Sequence, residues 1–396
     1  MGPLIVLSIA LGLAIGFIAA APSGNSSAQP TSSDRAEGPT LQRGLNLSHW
    51  FAQVRTTQGF SWEHLTAHTT AADIALIRRL GFDHVRLSVD PATISALENV
   101  DTVQQDRMHE LERAVRMIID AGMAAVIDIH PTSDFKMALE RDNDRVARFA
   151  DFWHDLASRF ATLPVDRVVL EILNEPQFQD RYRWSGVRAK LLASIRQAAP
   201  RHTVIVSGHG WASVEELLSL EPLADAKVIY NFHFYLPHIF THQGATWGRP
   251  LWRHLAAVPY PSSPDNVSPV AGGLADDVSK LLVTRYGYEQ WSGARIRAEI
   301  EQIAAWAKKR NVRVMCNEFG VYRRVATDSD RMRWIADVRT TLEIHGIGWT
   351  MWDYAGDFGL VTKQAGQIVV DDTLVWALEG CFPGRTDELR EILGKP

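Results

Sequence analysis

From Leu41 onward the chain alternates two hydrophobic periodicities. Short runs that are apolar at nearly every position and rich in β-branched residues alternate with longer stretches in which apolar residues recur every three or four positions. The first pattern predicts strands buried on both faces, and the second predicts helices with one apolar face. Eight strands are expected, at Gln42–Leu47, His84–Ser88, Ala124–His130, Arg167–Leu173, Thr203–Ser207, Val228–Phe234, Arg313–Asn317 and Gly348–Tyr354. Helices are expected between them at Thr70–Leu80, Asp106–Ala121, Val146–Phe160, Trp184–Ala199, Val214–Leu220, Arg295–Arg310 and Ser329–His345. In "LIRRLGFDHVRLSV" and "MIIDAGMAAVIDIH", Gly81 and Gly122 stand just past the helical pattern, where a left-handed residue ends a helix and hands over to a strand. Such βα units close into a parallel (β/α)8 TIM barrel, helices outside, with the loops that follow the strands gathered at one end. A doubly wound open sheet is the competing arrangement; it normally carries a Gly-rich phosphate loop after its first strand, and none follows Leu47.

Two stretches break the alternation. Pro237–Trp291 separates the sixth strand from its helix by far more than the usual few residues. Its Pro, Gly, Trp and Tyr content, in "HQGATWGRPLW" and "VPYPSSPDN", predicts an ordered lid or cleft wall, with Trp247, Trp252 and Tyr260 available to touch a ligand. At the N-terminus, Leu4–Ala21 is apolar to weakly polar throughout and is followed by "PSGNSSAQPTSSDRAEGPT". Residues 1–21 are therefore expected to be a signal peptide or an N-terminal membrane anchor, 22–40 a flexible linker, and 41–396 a single catalytic domain, exported and secreted or periplasmic. The small residues Ala19, Ala20 and Ala21 offer a cleavage site. A run near the ~17 residues needed to span a bilayer keeps an uncleaved anchor open.

Composition narrows the partners. With 46% hydrophobic and 22% charged residues and a net charge of −5, the chain is an ordinary globular one. It has no Lys/Arg run of the kind that binds nucleic acid. Its 2 cysteines make neither a zinc site nor a disulfide framework, and Cys316, inside a strand, reads as a small buried hydrophobe. The 13 tryptophans are more telling as a group, since Trp50, Trp62, Trp184, Trp211, Trp247, Trp252 and Trp352 fall near strand ends or in loops. Indole faces suit the apolar faces of sugar rings, although ordinary core filling accounts for most such residues singly.

Chemistry in a barrel of this type collects at the C-terminal ends of the strands. Those ends read "VRLSV" with Arg86, "IDIHP" with His130, "LNEP" with Asn174 and Glu175, "NFHFYLP" with His233 and Tyr235, "CNEFG" with Glu318, and "WTMWDY" with Trp352. Singly, each has a bland reading: a helix-start carboxylate, an ion-pair partner, a core histidine, barrel filling. Taken together and in this order, from about Leu41 to Leu378, they resemble glycoside hydrolase family 5, the cellulase family of the barrel glycosidases with catalytic glutamates on strands 4 and 7. The resemblance implies a retaining endo-β-1,4-glucanase acting on β-glucan polysaccharide or oligosaccharide. It implies Glu175 as acid/base, Glu318 as nucleophile, and Arg86, His130, Asn174, His233, Tyr235 and Trp352 as substrate-binding residues. Asn174 is expected on the sugar 2-hydroxyl, Tyr235 beside the nucleophile, and Trp352 as a stacking floor.

The chemistry can be argued from the residue types alone. Two carboxyl groups ~5 Å apart supply a proton for the departing oxygen and a nucleophile for the anomeric carbon, with no room for a water between them. Arg86 beside Glu318 is expected to keep the nucleophile ionised, while the charge on Glu318 and partial burial raise the proton affinity of Glu175. No metal or organic cofactor is required, and a monomer is expected. Other glycanases of the family, a mannanase or an exo-β-1,3-glucanase, are alternatives on the same site. A non-catalytic carbohydrate-binding barrel is an alternative of another class, but it would have lost a carboxylate, and both are here.

Overall fold

The computed structural model describes residues 38–54, 59–96, 99–364, 367–379 and 386–393. The expected export element, most of the linker and Cys381 lie outside the described residues. Eight strands form a closed barrel in chain order: β1 (Arg43–Phe51), β2 (His84–Val89), β3 (Ala124–Ile129), β4 (Val168–Glu171), β5 (Thr203–Ser207), β6 (Val228–Phe234), β7 (Arg313–Phe319) and β8 (Gly348–Met351). Every neighbouring pair is parallel, and β8 pairs with β1 to close the ring. A helix follows each strand: α1 (Ala71–Arg79), α2 (Gln105–Asp120), α3 (Asn143–Phe160), α4 (Arg181–Ala198), α5 (Val214–Leu218), α6 (Gly293–Arg310), α7 (Asp328–Ile344) and α8 (Asp372–Glu379). This is the (β/α)8 barrel expected from the alternating periodicities.

Gly81 and Gly122 follow α1 and α2 with φ of 93° and 81°, so the helix-to-strand handover falls where the sequence placed it. The differences lie at strand ends and in short helices. β1 runs on to Phe51 through an irregularity between Leu47 and Phe51, whereas β4 and β8 stop at Glu171 and Met351, short of the expected Leu173 and Tyr354. Continuous apolar character outlasts the ladder there because the chain stays buried while it turns across the barrel mouth. Helix Ser133–Arg141 lies unannounced between β3 and α3. The long segment after β6 contains helices Pro264–Gly273 and Asp277–Glu289, the first disguised in sequence by Pro269 and two terminal glycines.

Two apolar regions hold the barrel. Inside its lower part, Val126, Val169, Ile205, Ile229 and Met315 pack with Leu41 and Ala124 into a plug that leaves only the opposite mouth open for chemistry. Between strands and helices lies a larger shell that includes Leu45, Val85, Leu87, Ile127, Leu170, Val204 and Phe232. Buried tryptophans tie helices to strand ends: Trp153 of α3 donates to the Ile172 carbonyl at 3.0 Å, and Trp184 of α4 donates to the Ser207 carbonyl at 2.8 Å. Each indole thereby buries a large apolar area without leaving its N–H unpaired. Trp50 and Trp184 are thus core residues, while Trp62, Trp211 and Trp247 are 49%, 57% and 38% exposed.

Candidate active site

Arg86, on β2 inside the barrel mouth, organises the site. Its Nε and Nη2 donate to the two oxygens of Glu171 at 2.8 and 2.9 Å, Nη1 to Glu318 at 2.8 Å and Asn46 at 3.0 Å, and Nη2 also to Asn174 at 2.9 Å. Asp128 lies 3.1 Å from Nη2. The guanidinium is fully buried. Burial opposes its charge, but Asp128, Glu171 and Glu318 outweigh that and hold its pKa up.

Beneath it is a polar layer that the sequence reading missed. Glu171 accepts from Arg86 twice, from Asn231 at 3.1 Å and from Asn317 at 2.6 Å, so four donors and no acceptor converge on one carboxylate. Asn46 donates to the carbonyls of Asn317 and Met351 while its side-chain oxygen receives Arg86. The signal available in the sequence is a single polar residue interrupting each apolar run: "GLNLS", "VVLEIL", "VIYNF" and "VMCNE". Register does the rest, since Asn46 stands beside Arg86 and Asp128 beside Glu171 on adjacent strands.

Glu318 ends β7, buried. One of its oxygens takes the Arg86 bond; the other accepts from the Tyr235 hydroxyl at 2.9 Å and lies 3.5 Å from His233 Nδ1. Burial first, and then the charges of Glu318 and Glu175, push the Tyr235 phenol up, so it stays a donor.

Glu175 does not cap the helix that follows it; α4 is capped by Asp180, which accepts from the Tyr182 amide at 2.8 Å. Instead Glu175 sits at φ 43°, a left-handed conformation rare outside glycine. The segment is pinned on both sides: the Asn174 amide donates to Ile129 O, and the Phe178 and Trp211 amides pair with His209 O and Pro176 O. The turn aims the Glu175 carboxyl back at the mouth. His233 Nδ1 is 3.0 Å from it, and one donor atom each from Glu175, His233 and Glu318 lie within 4.8 Å of one another.

The expected proton distribution needs correction. Burial pushes Glu175 up, but the hydrogen bond and charge of His233, aided by Lys136 and His130, outweigh it and hold the carboxyl down at about 2. Burial opposes the His233 cation in turn, and Glu318 and Glu175 overcome it, so its pKa is raised. The two groups titrate as a pair, and these shifts favour the imidazole as the seat of their shared proton. The sequence points to Glu318 as the neighbour that matters to Glu175, but His233 stands between them, 3.0 Å from one and 3.5 Å from the other.

His130 is held neutral, its pKa pushed to about 3 chiefly by burial. Its Nδ1 pairs with Asp128 at 2.9 Å, which leaves Nε2 to accept from Gln53 at 2.8 Å and Asn174 at 3.1 Å. The His130 ring stacks on Trp352 at 5.7 Å and 23°. Trp352 belongs to an aromatic cluster with Tyr235, Tyr322 and Phe358. All eight residues read from the strand ends therefore converge on one mouth.

The long segment after β6 is only partly a wall of this mouth. Trp247 packs edge-on against Tyr322 at 5.0 Å and against Phe358 at 6.3 Å, extending the aromatic cluster. Trp252 stacks on His238 at 5.9 Å and packs at a tilt against His242 at 4.6 Å, behind Tyr235. Tyr260 is a correction: it is buried, donates to Asp337 of α7 at 2.7 Å, and faces no cleft. Trp211 is a further exposed indole, on the loop bonded to the Glu175 segment.

A parallel barrel with two carboxylates facing one another across its mouth, an arginine under one and an imidazole against the other, is an arrangement suited to glycoside hydrolysis. The comparisons give the family. Residues 39–357 match the family model Cellulase (glycosyl hydrolase family 5), and the chain belongs to that family. Endoglucanase C of Acetivibrio thermocellus is 28% identical over 321 residues, which cover 80% of this chain and 91% of that protein. Endoglucanase 3 of Fibrobacter succinogenes is 25% identical over 340 residues, covering 81% and 50%. Among solved structures, the cellulose synthase subunit Z of Clostridioides difficile superposes with a TM-score of 0.70 at 21% identity, covering 86% of this chain and 99% of that one. Thermotoga maritima Cel5A in complex with cellobiose does so with 0.68 at 22%, covering 87% and 99%.

Proposed function

We propose that the protein is a retaining endo-β-1,4-glucanase that cuts β-glucan by double displacement. The observation that carries this reading is the short separation of Glu175 and Glu318, with donor atoms within 4.8 Å. Retaining enzymes hold their carboxyl groups at about 5–5.5 Å, whereas inverting ones need about 6.5–9.5 Å to admit a water.

In the first step Glu318, aligned by Arg86 and Tyr235, attacks the anomeric carbon. The proton on His233 Nδ1 passes along its 3.0 Å hydrogen bond to Glu175, which delivers it to the leaving oxygen. As the Glu318 charge is consumed in the glycosyl ester, the Tyr235 hydroxyl and Arg86 lose their anionic acceptor. In the second step Glu175 takes a proton from water, which attacks the same carbon and frees Glu318. Asn174, held by Arg86 and His130, offers its amide to the sugar 2-hydroxyl, and Trp352 supplies the apolar floor.

The glucan preference is supported by Endoglucanase C, similar over most of both chains. The test is hydrolysis of carboxymethylcellulose, lichenan, laminarin and β-mannan with product lengths followed over time. Early release of mixed oligosaccharides from carboxymethylcellulose and lichenan is expected. Preferential cutting of mannan or laminarin, or release of single end units only, would replace the proposal with one of the other family activities.

A further inference from the structure

Gln53 has no part in the mechanism above, yet its backbone is strained and its side chain reaches the barrel mouth. It stands just past the end of β1 at Phe51, beyond the irregularity that follows Leu47, with φ at 48°. A left-handed conformation is disfavoured outside glycine and persists where the surroundings fix it. Two contacts fix it here. The His49 Nδ1–H donates to the Gln53 carbonyl at 3.0 Å, and the Gln53 side-chain amide donates to His130 Nε2 at 2.8 Å.

His130 has more donors than it can hold well. Its Nδ1–H is given to Asp128 at 2.9 Å, so Nε2 carries one lone pair, which faces both the Gln53 amide and the Asn174 amide, the latter at 3.1 Å. One of the two donors is therefore to spare. Asn174 is buried and is fixed a second time through its side-chain oxygen, which receives Arg86 at 2.9 Å. Gln53 is exposed, and among the described residues its side-chain oxygen accepts no hydrogen bond. The residue able to turn away from His130 is thus Gln53. Its amide then offers N–H and carbonyl together, an edge that matches a hydroxyl, which both donates and accepts. Because the two amides meet at one ring nitrogen, they reach adjacent positions of one bound sugar. The mechanism gives the 2-hydroxyl to Asn174. Of the two carbons beside it, C1 is the reacting centre and faces Glu318, which leaves C3.

We propose that Gln53 is a substrate-binding residue that takes the 3-hydroxyl of the ring being cut and, in doing so, leaves His130 Nε2 to Asn174. This rests on the glycosidase reading and on Asn174 at the 2-hydroxyl. The exchange tightens both contacts, since Asn174 no longer shares its acceptor once the 3-hydroxyl has drawn Gln53 away.

The test compares three activated aryl β-cellobiosides that differ on the ring carrying the aryl group: the parent, its 3-deoxy analogue and its 2-deoxy analogue. Gln53→Gly removes the side chain and suits the left-handed backbone, so its melting temperature should stay close to that of wild type. It should lower kcat/KM on the parent about 5–10-fold, the size of one neutral hydrogen bond lost from the transition state. On the 3-deoxy substrate the loss should nearly vanish, whereas on the 2-deoxy substrate it should persist. Should Gln53→Gly melt early, Gln53→Asn, which tolerates the same backbone but carries its amide one methylene short, takes its place in the comparison. Equal losses on all three substrates would make Gln53 a residue that only shapes the mouth, and a loss that vanishes on the 2-deoxy substrate alone would mean that it acts solely through Asn174. Either result overturns the proposal, as does an unchanged kcat/KM on the parent. Wild-type turnover of the parent reports on the glycosidase reading, and Asn174→Ala on the 2-deoxy substrate reports on the 2-hydroxyl contact, so each fails separately from Gln53.

Discussion

Replacing Glu171 with Gln tests the buried layer that holds Arg86 under the nucleophile. The side chains are isosteric, but Glu171 receives two donors on each oxygen: Arg86 Nη2 and Asn231 on one, Arg86 Nε and Asn317 on the other. Whichever way the new amide turns, its NH2 meets two donors, one of them charged. Two hydrogen bonds, one charge-assisted, are lost and two buried donors are left facing a third, which together cost about 3–5 kcal/mol. For a domain of this size that corresponds to a fall in apparent Tm of about 4–7 °C. Asp128→Asn is the matched control, because it also removes one negative charge from Arg86. Only Oδ2 of Asp128 is engaged, by His130 and Arg86, while Oδ1 is buried without a partner and can be replaced by NH2. That variant should lose less than about 2 kcal/mol. Scanning calorimetry of both, with kcat/KM on carboxymethylcellulose, separates the explanations. Equal losses in the two variants, or a Glu171→Gln protein melting within a degree of wild type, would show that charge balance rather than donor geometry governs the layer.

Three further outcomes are expected. Glu175→Ala should give a burst and then slow turnover with an activated aryl glycoside, and azide should restore the rate; loss without azide rescue counts against the acid/base role. His233→Asn should move the alkaline limb of kcat/KM acid-ward. The shared proton, held in the wild type with a His233 pKa raised above its ordinary ~6.5, then rests on Glu175 alone, and an unmoved limb would remove His233 from the proton path. Trp247→Ala should lower kcat/KM on long glucans several-fold while sparing short aryl glycosides, because its indole extends the aromatic wall away from the cut bond; equal kinetics on both would leave it a packing residue.

The legible parts of this protein are those that depend on local periodicity. Strands and helices carry their own pattern, and the residues from Arg86 to Trp352 announce themselves as polar or aromatic groups ending apolar runs. What stayed hidden depends on which strand lies beside which and in what register. Glu171, Asn46, Asn231 and Asn317 look like lone interruptions of four separate strands until the barrel closes and turns them inward together. The charge state of Glu175 was hidden for a related reason: it follows from an imidazole two strands away, not from its own segment. Tyr260 shows the limit of composition, since an aromatic in a Pro-rich loop reads the same whether it faces a cleft or, as here, helix α7.

The central claim is that Glu318 forms a covalent bond to the sugar. Incubation with a 2-deoxy-2-fluoro-cellobioside bearing an activated leaving group, followed by peptide mapping in a mass spectrometer, tests it most directly. The account predicts one fluorocellobiosyl unit per chain, on the peptide containing Glu318, and none in Glu318→Gln. Labelling of Glu175, or normal turnover with no adduct while the products appear with inverted configuration, would contradict it.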